Sequence, residues 1–160
     1  MILRPLRITL MTAAFCLGLG LTSYGQDNNP AAEKISVHEK LAMQLMDVLA
    51  EMNNIILAAH NFQTSKKAAQ DIVKLQPKVD AIAARLKTME PPSNEEKKAI
   101  EAKMQAHVGT VGHDMGQKLQ KAMRNLTDNS QRIISEAMST FYENLEKHDA
   151  IFNKHFKPTQ

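Results

Sequence analysis

Four apolar stripes at helical spacing constrain this chain more than any other feature. Within each stripe, apolar side chains recur at intervals of three and four residues, which is typical of an α-helix with one buried face. The stripes cover residues 38–59, 68–86, 100–126 and 134–155. Ser36 with Glu39 and Ser93 with Glu96 match the capping box, so they predict where the first and third helices begin.

The segments between the stripes predict short connections. Residues 61–65 and 127–130 are polar turns, and Pro91-Pro92 ends the second helix. Pro77 lies inside the second helix and is expected to kink it, since proline has no N–H to donate. Four helices joined in this way predict an all-α, antiparallel up-down-up-down four-helix bundle over residues 36–157. An elongated pair of helical hairpins is the alternative, and no internal repeat has a convincing period.

The first 25 residues have the features of a secretory signal peptide. Arg4 and Arg7 give a positively charged start, an apolar run of 14 residues follows at 8–21, and Ser23 and Gly25 are small residues suited to cleavage. The run is shorter than the roughly 20 apolar residues of a transmembrane helix. We therefore expect a signal peptide at 1–25, a flexible lead-in at 26–35, and a secreted or periplasmic mature protein without a transmembrane segment.

Charge and cysteine content exclude several classes of function. Two of the 20 basic residues and none of the 17 acidic residues precede the expected cleavage site, so the mature chain has a net charge of +1. A nucleic-acid binder carries a concentrated basic surface instead, so no nucleic-acid partner is expected. The single cysteine, Cys16, lies in the signal peptide. The mature protein therefore forms no disulfide, no zinc-thiolate site and no covalent attachment to c-type haem.

Three histidines are predicted to meet at one end of the bundle. His38 begins the first helix, whereas His148 and His155 lie near the end of the fourth, and all three fall on the apolar stripes. Imidazole is a ligand for copper and for haem iron, so His38 with His148 or His155 forms a candidate cofactor-binding site. Haem b or copper is the implied cofactor, and the metal is left unassigned. The alternative is that the rings pack at the bundle end while one nitrogen reaches water.

The chain resembles cytochrome b562 in four features. These are the four helices, the export signal, the Pro-Pro break between the second and third helices, and candidate ligands on the first and fourth helices. That family holds one b-type haem between a methionine on the first helix and a histidine on the fourth. The resemblance implies that His148 or His155 takes the histidine role and that His38 replaces the methionine. The chain is also similar to uncharacterised exported helical proteins of bacteria.

Methionines and glycines add two further patterns. Met43-x-x-Met46 resembles the spacing of copper(I) sites in exported copper proteins, but the eight mature methionines are spread over all four helices, which favours a role in core filling. Gly109, Gly112 and Gly116 line one side of the third helix. Close packing against the alanine-rich second helix is the expected reason for these glycines.

The sequence contains no catalytic grouping. It has no G-x-S-x-G, H-E-x-x-H or phosphate-binding loop, and no Glu-x-x-His pair of the kind found in di-iron bundles. We therefore interpret the protein as an exported, non-enzymatic helical bundle that acts as a binding or structural module. Its partner is an unidentified protein or small ligand. The alternative function is a small haem- or copper-binding protein with the histidine site at one end of the bundle.

Overall fold

Six α-helices form the part of the chain that the computed structural model describes, which is residues 35–159 without the side chains at 110–113. The all-α prediction is confirmed over these residues. The expected signal peptide and nearly all of the lead-in lie outside them. None of the described helices is both long and apolar enough to cross a membrane. The helices are α1 (Val37–Leu57), α2 (Phe62–Val73), α3 (Gln76–Lys87), α4 (Asn94–Arg124), α5 (Asp128–Lys147) and α6 (Asp149–Phe156).

Two of the predicted helix starts are confirmed by their capping hydrogen bonds. The backbone N–H of Glu39 donates to Ser36 Oγ at 3.0 Å, and α1 begins at the residue after Ser36. The backbone N–H of Glu96 donates to Ser93 Oγ at 3.2 Å, and α4 begins at the residue after Ser93. Each bond satisfies an N–H of the first turn that has no acceptor within its own helix.

The predicted second helix is divided into α2 and α3. Asn61 caps α2 by accepting a hydrogen bond from the Thr64 N–H, so this helix begins inside the predicted turn. Pro77 lies in the first turn of α3, where a missing N–H costs no helical hydrogen bond. The chain therefore breaks at Lys74 and Leu75 instead of bending through Pro77.

The predicted fourth helix is divided in the same way, into α5 and α6. Thr127 caps α5, which places the start of this helix within the predicted turn at 127–130. His148 is both the last cap of α5 and the first cap of α6, with φ −105° and ψ 2°. The short helix α6, which carries His155, therefore takes its position from the backbone conformation at His148.

Helices of the first half of the chain pack beside their counterparts in the second half. Three side-chain hydrogen bonds join residues that are 64 positions apart: Glu39–Lys103, Gln76–Thr140 and Asp80–Asn144. The constant separation means that α3 runs parallel to α5, and the contact between the starts of α1 and α4 means that these two also run parallel. The most extensive helix contacts are those of α2 with α5 and of α1 with α4. This packing differs from that of an up-down-up-down bundle, whose closest neighbours are antiparallel.

Helices α2 and α5 each carry a small, buried polar residue in the first turn. Ser65 and Ser130 lie in the first turns of the two helices and are both fully buried. Ser65 Oγ donates to the Asn61 carbonyl oxygen at 2.8 Å, and the hydroxyls of Ser130 and Thr127 lie 3.0 Å apart. Both buried hydroxyls are therefore satisfied locally, and they require no partner from the facing helix.

Most of the predicted apolar stripes form the core, but the described part of the third stripe is not fully buried between Met104 and Leu126. None of the described side chains between residues 105 and 125 is buried, and Val108 is 36% exposed. Helix α4 has 31 residues and its neighbour α1 has 21, so α4 is about 15 Å longer than α1. The apolar pattern of this segment therefore faces no helix that would bury it completely.

The glycines of α4 do not mark a close helix contact. A Cβ atom added at Gly109 or Gly116 would meet nothing within 4 Å. The predicted packing of these two glycines against the second helix is therefore wrong, while Gly112 lies among the positions whose side-chain surroundings are not described. Among the described residues no glycine has a positive φ, so the backbone does not require glycine at 109 or 116 either.

Candidate functional site

The structure brings two of the three predicted histidines together. His38 lies in the first turn of α1, and its imidazole ring stacks on the ring of His155 in α6 with 5.4 Å between the ring centroids. The two ring planes are inclined by 21°. The expected meeting of the start of the first helix with the end of the chain's last helix therefore occurs between these two residues.

His38 has a neighbouring oxygen close to each of its ring nitrogens. Its Nε2 lies 3.1 Å from the carbonyl oxygen of Glu90, so this nitrogen carries the hydrogen and donates it. Its Nδ1 lies 3.6 Å from Glu96 Oε1, a buried oxygen without a hydrogen-bond partner among the described residues. The bond to Glu90 therefore orients the ring of His38 and leaves Nδ1 beside the Glu96 carboxylate.

His155 occupies a different environment from its stacking partner. Only 1% of the residue is exposed, and its Nδ1 has no hydrogen-bond partner within the described part of the chain. Burial lowers the pKa of His155, and the positive charges of His38, Lys154 and Lys97 lower it further. Lys97 is itself only 8% exposed. His155 is therefore neutral at pH 7, with one ring nitrogen available as an acceptor.

His148 does not join the stacked pair and instead binds an aspartate on α3. Its Nε2 donates to Asp80 Oδ1 at 2.7 Å, and the side-chain amide of Asn144 donates to the same oxygen at 3.0 Å. These two hydrogen bonds lower the pKa of Asp80, the bond from Asn144 having the larger effect. The ring of His148 also meets the ring of Phe152 edge-on at 6.1 Å. His148 therefore fixes the junction between α5 and α6 against α3.

The arrangement of His38 and His155 does not fit the axial ligands of a haem. Two axial nitrogens must approach the iron from opposite sides, whereas here the faces of the two rings oppose each other. The lone pair of an imidazole nitrogen lies in the ring plane, so stacked rings do not aim two lone pairs at one ion. Among the described residues, no three His, Cys, Asp or Glu side chains are grouped as metal ligands. Haem or copper binding at His38, His148 and His155 stays a prediction.

The methionines of α1 are part of the core or lie against it. Met46 and Met52 are 7% and 1% exposed, and Met43 is half-buried against the same cluster. The side chains of the Met43-x-x-Met46 pair therefore contribute apolar packing. This placement agrees with the expected role of the methionines as core-filling residues.

A groove between α1 and α3 is a second candidate site, and it was not predicted from the sequence. It has a volume of about 420 Å³ and is open to solvent along one side. Leu41, Val48 and Ile82 form its apolar floor, and all three are nearly completely buried. The remaining lining residues form two mostly polar rims, one on each helix: Gln44, Asp47 and Glu51 on α1, and Lys78, Ala81 and Arg85 on α3.

The two helices present charges of opposite sign along the groove. Asp47 and Glu51 line it from α1, whereas Lys78 and Arg85 line it from α3. Lys78 binds Glu51 across the groove in an ion pair. Sequence reasoning missed the groove because it depends on which faces of α1 and α3 are left uncovered by the other helices, and apolar periodicity does not show this.

Comparison with known proteins assigns the chain to no family. No protein-family model, no curated protein and no solved structure matches it. The function is therefore inferred from the residues and their arrangement, and the resemblance to cytochrome b562 stays a prediction.

Proposed function

We propose that this protein is an exported, non-enzymatic binding module that holds a small ligand in the groove between α1 and α3. The groove itself is the observation that supports this proposal. Its volume of about 420 Å³ lies within the range of small-molecule sites, and it combines an apolar floor with a few polar groups, as such sites do. The helices around it form a rigid frame, because the floor residues belong to the core.

A binding role accounts for the composition of the groove better than catalysis. Its lining contains no serine, threonine, cysteine or histidine, so it offers none of the usual side chains for nucleophilic catalysis assisted by a histidine base. The charged groups on its rims are suited to orienting a ligand by its charges. We place the protein outside the cytoplasm on the basis of residues 1–25, with cleavage after Gly25. The intact mass of the protein recovered after expression with these residues tests the cleavage.

Blocking the groove tests the proposed ligand site. Ala81 lies on the rim of the groove and is exposed, so Ala81→Trp should fill the groove without disturbing the core. Ala84→Trp is the matched control, since Ala84 is an exposed alanine of the same helix that does not line the groove. We would record ¹⁵N–¹H spectra of the mature protein with a panel of small peptides, amino acids, sugars and fatty acids.

The proposal predicts a specific pattern in these spectra. At least one class of compound should shift the amide signals of α1 and α3 around the groove, in the parent and in Ala84→Trp but not in Ala81→Trp. If no compound shifts those signals, or if Ala81→Trp responds as the parent does, the groove is not the ligand site.

The second candidate function is a metal-binding protein, and one observation favours it. Glu96 Oε1 and His155 Nδ1 are both buried without hydrogen-bond partners among the described residues, and His38 lies against both side chains. A copper ion at these residues would require the rings to leave their stacked arrangement. Titration of the mature protein with Cu²⁺ tests this function. A metal-binding function predicts that Cu²⁺ binds stoichiometrically and that His155→Gln abolishes this binding. His60→Gln, which changes an exposed histidine, should leave the binding unchanged.

A further inference from the structure

Two of the charges in the α1–α3 groove remain unpaired. Glu51 and Lys78 bind each other, so their charges compensate within the protein. Asp47 and Arg85 also line the groove, yet neither side chain has an ion-pair or hydrogen-bond partner among the side chains that the structure describes. The groove therefore offers one carboxylate and one guanidinium to a ligand.

The two unpaired charges lie close to one another along the groove. Helices α1 and α3 run antiparallel, and Glu51 faces Lys78 at one end. Asp47 is one turn from Glu51, while Arg85 is about two turns from Lys78 in the same direction. At about 1.5 Å per residue, the two charged residues are offset by roughly 4–5 Å along the groove, on opposite rims. Gln44 lies opposite Arg85, where its side-chain amide adds a hydrogen-bond donor.

From this placement we propose that the groove binds short peptides with free ends, of two or three residues. The ammonium group of the peptide would bind Asp47 and its carboxylate would bind Arg85, while apolar side chains of the peptide rest on Val48 and Ile82. A dipeptide spans about 7 Å in an extended form, which is longer than the offset of roughly 4–5 Å between Asp47 and Arg85 along the groove. The inference rests on the proposed function, because it names the ligand of the same site.

The charge arrangement favours a zwitterion over ligands of other classes. A ligand with one charge would compensate either Asp47 or Arg85 and remove water from the other without replacing it, which is unfavourable. A neutral apolar ligand would remove water from both Asp47 and Arg85 without replacing it. A single free amino acid carries both charges but is small for a groove of about 420 Å³. A dipeptide or tripeptide provides both charges and more of the required volume.

Capped and uncapped forms of one dipeptide test the inference. We would measure the dissociation constants of leucyl-alanine, its N-acetylated form and its C-terminal amide by NMR titration of the mature protein. Each capped form lacks one of the two charges, so each should bind at least tenfold more weakly than the free dipeptide, because charge-assisted hydrogen bonds are lost.

Isosteric variants assign each charge to its partner. In Asp47→Asn the N-acetylated and free dipeptides should bind equally, and in Arg85→Gln the amide and free dipeptides should bind equally. Lys87→Gln, at an exposed lysine of α3 outside the groove, should bind like the parent. All three positions are exposed, so circular dichroism should show unchanged folding.

The outcomes separate this inference from the function on which it rests. If capped and free dipeptides bind equally, the peptide inference is wrong and the ligand site stands. The same conclusion follows if the free dipeptide leaves the groove signals unchanged at millimolar concentration while another compound of the panel shifts them. If no compound of the panel shifts those signals, both are wrong.

Discussion

The ring of His38 stacks on the ring of His155, 5.4 Å from centroid to centroid, at the point where α6 closes against α1. The two members of the pair differ in what surrounds them. His38 has Glu96 beside Nδ1 and the Glu90 carbonyl at Nε2. His155 is buried next to Lys97 and Lys154, which disfavours its protonated form. Protonation of His155 in the folded protein therefore carries a cost in stability.

This difference predicts that the protein loses stability in mild acid. The pKa of His155 in the folded protein is lowered below 6.5, chiefly by burial, so the unfolded chain takes up a proton first as the pH falls. The stability that neutral His155 contributes is fully present above pH 6.5 and is lost as the pH falls through the pKa of the folded state. The free energy of unfolding in urea, measured between pH 8 and pH 5, should decrease below pH 6.5.

A phenylalanine at this position provides the control for the acid effect. His155→Phe keeps an aromatic ring against His38 but cannot take up a proton, so its free energy of unfolding should change less between pH 7.5 and pH 5. His60→Gln, which removes an exposed histidine, should keep the pH dependence of the parent. If His155→Phe and the parent show the same loss in acid, His155 is not the group responsible.

The stacked pair also shows how far the sequence alone leads. Helical phase and chain direction predicted that His38 and His155 lie on facing surfaces at one end of the bundle. Both helical phase and chain direction can be read from local sequence patterns. The partner of His148 was not predicted, because its bond to Asp80 depends on the register between α3 and α5 and on the break at His148 itself. Pro77 indicated an interruption of the second helix, but apolar periodicity continued through it and hid the division into α2 and α3.

The bond between Asp80 and His148 should couple α3 to the α5–α6 junction. Asp80 accepts from both His148 and Asn144, so Asp80→Ala removes two hydrogen bonds to a charged acceptor. Because Asp80 is about half exposed, we expect a loss of roughly 1 kcal/mol in the free energy of unfolding. A double-mutant cycle with His148→Ala should give a coupling energy above that of the exposed i, i+4 pair Arg132–Glu136, for which at most about 0.5 kcal/mol is expected. Equal coupling energies in the two cycles would mean that the Asp80–His148 bond is not formed in solution.

The same bond predicts a second contribution to stability at lower pH. Hydrogen bonds from Asn144 and His148 lower the pKa of Asp80 below 3.8, so its contribution is complete above that value and is lost as the pH falls through the pKa of the folded state. The difference in unfolding free energy between the parent and Asp80→Asn should therefore be larger at pH 6 than at pH 3. A difference that is constant over this range would contradict the assignment.

Truncation of apolar side chains should distinguish the core from the exposed part of α4. Leu45 is 6% exposed, so Leu45→Ala should destabilise the protein by about 2–5 kcal/mol. Leu145 is half-buried and should cost less, although the apolar stripe alone places it with the core. Val108 is 36% exposed, and Val108→Ala should change the free energy of unfolding by less than about 0.5 kcal/mol. A loss of 2 kcal/mol or more at Val108 would show that another surface covers this segment.

The glycines of α4 give the most direct test of that uncovered segment. A Cβ atom at Gly109 or Gly116 meets nothing within 4 Å, and neither glycine has a positive φ, so alanine fits the folded backbone at both positions. Alanine also restricts the unfolded chain more than glycine does. Gly109→Ala and Gly116→Ala should therefore each raise the free energy of unfolding by about 0.4–1 kcal/mol, measured in urea at pH 7.5. Lower stability in either variant would mean that a partner surface packs against that glycine in solution, and the dependence of the effect on protein concentration would show whether the partner is a second copy of the chain.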